Sequence, residues 1–299
     1  MTLDSLTCWN SVFLSRRHIA DRFTEKYELD KHDKEFLNKY KEIRTRLSWG
    51  NIEWCFHHSG GLVEMKHRSK LVLKDSDRNL LLLIINQFWS RFSILYSKDF
   101  YYLKERRETM LKNLKESFFQ SALEDINYFF RINLSNKEIP VSLIPGFSER
   151  SGSGMGFSRP SALIVLETTN LRTNDQEAVK RDLSVLLHEF SHIVINFEEN
   201  NFKDIMEEIL EKEGASDWEK HTVEEAIIRS NFPSGILAVR SGLLKKIPES
   251  LKKTLSTDPT QKLTSSIIQI TEEQIKNGNH FNDPKYIKEV LKILRSIKN

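Results

Sequence analysis

The chain has 299 residues, 39% of them hydrophobic and 29% charged, a length that allows about two domains with a real core. Eleven Gly and seven Pro are too few for a collagen-like or linker-dominated chain, and they favour helix. The 45 basic and 42 acidic residues leave a net charge of +3, without the strong basic bias of nucleic-acid binders, so no nucleic-acid partner is expected.

The N-terminal stretch MTLDSLTCWNSVFLSRR places Asp4 before a mildly apolar segment and Arg16-Arg17 after it. A secretory signal carries its positive charge first, so no export signal is read here. Cys8 and Cys55 cannot staple a fold of this size, and a cytoplasmic location is the expectation. The longest apolar run, Leu80 to Ile85, is far short of the roughly 20 residues that cross a bilayer, and no membrane partner is expected.

Residues 1–130 read as a helical N-terminal region. Asp30 to Arg46, Asn79 to Leu95 and Tyr101 to Phe130 carry apolar residues at helical spacing. In the last of these, Leu103, Met110, Leu111, Leu114, Phe118 and Phe119 form the predicted buried stripe. His57-His58-Ser59-Gly60-Gly61 interrupts the helices as a turn, which explains the two histidines better than a second metal site does.

Residues 131–299 have a different texture and are expected to form a second domain. Ile139 to Phe147 and Ser161 to Glu167 are short, apolar and β-branched, and predict strands. The glycine-rich stretch Ser148 to Pro160 predicts a loop or irregular edge between them. Asn174 to Glu177 has capping-box form and opens a strongly apolar helix. More helices follow at about 202–213, 217–230, 234–245 and 261–276, and a last one starts at Asp283-Pro284. The expected fold class is α+β, predominantly helical, with a small sheet.

Inside the most apolar helix stands His188-Glu189-Phe190-Ser191-His192. Residues four apart share one helix face, so both imidazoles can reach one ion. Glu189 lies beside them, placed to take a proton from water activated by that ion. Three unpaired polar groups would be costly in a leucine-rich helix, which favours a metal site over a purely structural cluster.

The motif resembles the HExxH helix of the zincin metallopeptidases. That resemblance implies a zincin-like domain holding one Zn²⁺ per chain, with His188 and His192 as ligands and Glu189 as the catalytic base. The metzincin pattern is excluded, because Ile195 and Glu198 occupy its Gly and His positions, and Asp217 lacks the aspzincin context. What remains is the gluzincin-like arrangement, in which a Glu on a following helix completes the site. Glu225 is preferred because it precedes the small Ala226, although 32 residues separate it from His192. Glu224, His221 and the acidic residues Glu207, Glu208, Glu211 and Glu213 stay open as alternatives. Arg229 stands where such enzymes often carry an Asp, and it can pair with Glu225.

The resemblance also implies an edge strand beside the motif helix that pairs with an extended substrate. Ser161 to Glu167 and Gly154 to Phe157 are the candidates. His280, Tyr286 and Arg240 are considered as donors to the transition state. The expected function is a zinc-dependent hydrolase acting on a peptide or protein substrate. The competing expectations are an inactive binding protein of the same fold and a zinc hydrolase of a non-peptide substrate.

Overall fold

The computed structural model describes residues 2–7, 17–47, 51–57, 62–132, 138–146, 152–158, 162–171, 175–197, 201–252 and 256–298. They form two compact units that divide between Tyr102 and Leu103.

The first unit contains α1 (Thr2–Thr7), α2 (Arg17–Thr24), α3 (Lys31–Arg46), α4 (Asn51–His57), α5 (Leu62–Val72) and α6 (Asp75–Tyr96). Asp30 caps α3 by accepting the Asp33 amide at 2.7 Å, and the Asp33 side chain reaches back to complete a capping box. Arg91 of α6 then grips the Asp33 carboxylate at 2.6 and 2.7 Å, so a helix cap becomes a tie between two helices. The Arg91 bonds hold the Asp33 carboxyl down at about 2, against the opposing effect of burial. Around this tie pack Phe23, Leu37, Ile43, Ile84 and Phe88. Arg44 is fully buried there and meets both Asp4 and Glu53, which is what a buried cation requires. Cys55 is buried in the same core, and burial pushes its thiol up to about 12.

Chain order continues with α7 (Asp99–Asn113), α8 (Ser117–Phe129), β1 (Val141–Ile144), β2 (Ser153–Phe157), β3 (Leu163–Glu167) and α9 (Gln176–Ile195). Then come α10 (Phe202–Lys212), α11 (Asp217–Arg229), α12 (Ile236–Arg240), α13 (Glu249–Lys252), α14 (Pro259–Lys276) and α15 (Pro284–Lys298). The predicted helix over Tyr101 to Phe130 is therefore two helices, and Leu111 is 43% exposed instead of lying in a buried stripe. The break turns Phe119, Ala122, Ile126 and Phe129 into one core with α9, α11 and α14. For that reason the compact division falls near residue 102, whereas the change of texture suggested 130.

The three strands run in the order β1-β3-β2, with β3 parallel to β1 and antiparallel to β2. All five residues of β3 are buried, as in a strand covered on both faces. Ser161 to Glu167 thus supplies the central strand and cannot be the substrate-pairing edge. The edge strand beside α9 is β2, inside the stretch read as a loop or irregular edge and containing the other candidate, Gly154 to Phe157. Glycine is unfavourable in strands, which is why local propensity leaves β2 open between loop and edge.

The start of α9 is fixed by a buried pair. Asp182 accepts the Thr169 amide at 2.7 Å and meets Arg106 of α7 at 2.5 Å, and Arg106 also donates to the Thr169 carbonyl at 3.1 Å. Asp175 caps α9 by accepting the Glu177 amide at 3.2 Å, one residue later than the predicted Asn174, which lies outside the described residues. The helix expected over 234–245 is only α12, and it ends where Gly242 takes φ of 83°. Among the described residues no single helix is long and apolar enough to cross a membrane.

A capping box also opens α11, where Ser216 accepts the Glu219 amide at 3.3 Å and its own amide donates to Glu219 at 2.8 Å. Arg295 of α15 donates to the same carboxylate at 3.1 Å. The Ser216 amide, then Arg295, hold the Glu219 carboxyl down at about 2, below its ordinary 4.5. A depressed carboxyl stabilises the fold above its unfolded value, and the contribution fades as pH falls from about 4.5 towards 2. Glu219→Gln is accordingly expected to lower the melting temperature at neutral pH and to match the parent near pH 2, read from thermal melts across that range.

Candidate metal centre

His188 and His192 are one turn apart on α9, on the side that meets α11. Ala226 is fully buried on α11, so no bulky side chain intrudes at that position. The two rings lie 4.8 Å apart at 82° to one another. His188 places Nε2 at 3.8 Å from Glu225 Oε1, and His192 places Nε2 at 2.8 Å from Glu225 Oε2. One ligand atom from each of the three residues lies within 4.8 Å of the others.

The outer ring nitrogens are engaged as well. His188 Nδ1 is 3.0 Å from the Phe232 carbonyl, and His192 Nδ1 is 3.4 Å from Glu224 Oε1. A carbonyl can only accept, so His188 carries its proton on Nδ1 and turns the Nε2 lone pair towards Glu225. Burial, and then the neighbouring His192, push the His188 pKa down to about 4, so this ring is neutral at pH 7. Burial opposes a charge on His192 too, but Glu224 and Glu225 outweigh it and raise its pKa to about 10. Burial likewise opposes charge on Glu225, yet His192, His188 and Arg229 keep its carboxyl far below the usual range. A cation held by the three residues would take the place of the proton that Glu225 and Glu224 favour on His192.

The donor set fits Zn²⁺. Two imidazole nitrogens and one carboxylate oxygen are the ligands of an open catalytic zinc site. Zinc bonds of about 2.0 Å in tetrahedral array put ligand atoms about 3.3 Å apart. His192 and His188 stand 2.8 and 3.8 Å from Glu225, measured to different oxygens of its carboxylate, and one atom from each of the three residues falls within 4.8 Å of the others.

Glu189 stays outside the trio. Its Oε2 accepts the Gly156 amide of β2 at 2.7 Å. A Cβ at Gly154 would fall 2.3 Å from Glu189 Cγ, and one at Gly156 would fall 2.9 Å from the Glu189 carbonyl oxygen. Glycine at both positions lets the edge strand lie directly against the motif helix. Beside them opens a cleft of about 440 Å³, bordered by Gly154, His188, Glu189, Arg229, Ser234 and Gln261.

Other candidate residues lie elsewhere. Glu207, Glu208, Glu211 and Glu213 face solvent and pair with Lys203, Lys212, Lys220 and Lys288. His221 is exposed. His280 bonds the Tyr128 carbonyl at 2.8 Å, Tyr286 is buried against Thr271 at 2.8 Å, and Arg240 pairs with Asp125 at 3.2 Å. None of these three donors lines the cleft. His57 ends α4, and residues 58–61 lie outside the described residues. The Phe232 carbonyl was not anticipated, since a backbone acceptor leaves no mark on residue types. Glu224 was anticipated only as a rival ligand, and its position behind His192 depends on how α11 faces α9.

In comparisons with protein-family models, characterised proteins and solved structures, nothing matched this chain.

Proposed function

We propose that this chain is a zinc-dependent hydrolase of peptide bonds, with a zincin-like catalytic domain of the gluzincin type and a cytoplasmic location. The observation that carries the reading is the convergence of His188 Nε2, His192 Nε2 and Glu225, with each outer ring nitrogen held by an acceptor. Zn²⁺ bound there would lower the pKa of water and polarise a carbonyl.

The chain's own groups supply the rest. His188, His192 and Glu225 hold the ion, while Glu224 and the Phe232 carbonyl fix the ring orientations. Glu189 takes the proton of the attacking water and later delivers it to the leaving amine. The Gly156 amide steadies that carboxylate. An extended peptide would pair along the edge strand β2, whose Ser153 and Gly154 border the cleft.

Elemental analysis of protein purified without chelator is expected to find one zinc per chain, and a casein digest is expected to stop when chelator is added. Absence of any transition metal, even after zinc addition, would overturn the metal centre. Zinc without cleavage of any peptide would overturn the peptidase reading.

A further inference from the structure

Arg229 lies one turn beyond Glu225 on α11, and its Nε donates to Glu225 Oε1 at 2.5 Å. Its side chain is 42% exposed and borders the same cleft as His188 and Glu189. Among the described residues bordering that cleft, Arg229 and Glu189 are the only charged ones. The rest are neutral, with Ser234, Ser250, Gln261 and Thr264 offering hydroxyl and amide groups.

We propose that Arg229 anchors a carboxylate of the substrate, so that the cleft selects peptides carrying a negative charge close to the scissile bond. The inference rests on the hydrolase reading above, and it adds a substrate class to it. A guanidinium has five donors in a rigid planar fork that matches a carboxylate, and the bond to Glu225 uses one of them. The other nearby acid, Asp258, is 4.0 Å from Arg229 Nη1, beyond hydrogen-bond reach, and is itself half exposed. Glu225 also shares its charge with His192 at 2.8 Å, so it does not neutralise Arg229 alone. Apart from Glu189, the described residues bordering the cleft are neutral, so Arg229 is the one cation it offers to a substrate carboxylate, and it disfavours a cationic group there.

Two sources offer that carboxylate: the C-terminus of a short peptide, or an Asp or Glu side chain within a longer one. The full chain carrying Glu189→Gln, with and without zinc, is titrated by fluorescence anisotropy against three labelled hexapeptide pools. One pool has a free C-terminal carboxylate and a neutral interior. The second is amidated with a single internal Glu, and the third is amidated and neutral. At least one acidic pool is expected to bind about tenfold or more tightly than the neutral pool, and the tighter one identifies the source. Adding Arg229→Gln should erase the difference, while Arg229→Lys should keep part of it. A role confined to holding Glu225 would shift all three pools together. Equal binding of the pools, no binding by any of them, or a preference that survives Arg229→Gln overturns the proposal. Cleavage of the pools by the parent chain separates the two readings. Acid preference without cleavage keeps the anchor and defeats the hydrolase, and cleavage without preference does the reverse.

Discussion

Glu189→Gln is expected to abolish peptide hydrolysis while leaving fold and zinc content unchanged. The amide is nearly isosteric with the carboxylate, and its oxygen can still accept the Gly156 amide that Glu189 Oε2 now accepts at 2.7 Å. The contact between β2 and α9 therefore survives. A neutral amide, however, cannot take a proton from water at pH 7. Loss of a general base typically costs about 10²–10⁴-fold in rate, and Glu189 would also deliver the proton to the leaving amine. Because Glu189 is outside the group of three ligand atoms, zinc content should match the parent by elemental analysis. Wild-type turnover by the Gln variant, on a substrate whose cleavage stops with chelator, would remove Glu189 from the mechanism.

What could be read along the chain was whatever depends on neighbours in sequence. The spacing of His188 and His192 places both on one turn of a helix whatever the tertiary fold, and α9 carries them so. The Asp283-Pro284 pair marks a helix start by a local cap and a fixed φ, and α15 begins there. Gly154 to Phe157 stayed open between loop and edge strand because its glycines are chosen for contact: Gly154 and Gly156 make room for Glu189, which is 33 residues from Gly156. The break between α7 and α8 escaped for a similar reason. Apolar spacing continues through it, while the direction of Phe119 is set by the core it joins. Deciding between Glu224 and Glu225 likewise required the facing helix, because both are short reaches from His192.

Glu225→Ala is expected to cut zinc affinity by orders of magnitude, and Glu224→Ala to cut it far less. Both carboxylates belong to one turn of α11, and both side chains are 13% exposed, so burial does not distinguish them. Geometry does. Glu225 presents its oxygens to the inner nitrogens of both rings, at 2.8 and 3.8 Å. Glu224 reaches only the outer nitrogen of His192, at 3.4 Å, and lies 4.0 Å from Lys203. Removing Glu225 would leave two imidazoles and no anion to offset the dication, a ligand set that holds zinc poorly. Removing Glu224 would free the His192 ring to reorient, and the loss of such a partner typically costs about 10–100-fold in metal affinity. A competitive zinc titration of the parent and both variants ranks them directly. Should Glu224→Ala prove the more damaging, the third ligand moves to Glu224. Should neither variant lose affinity, the pairing of α9 with α11 is not what holds the ion.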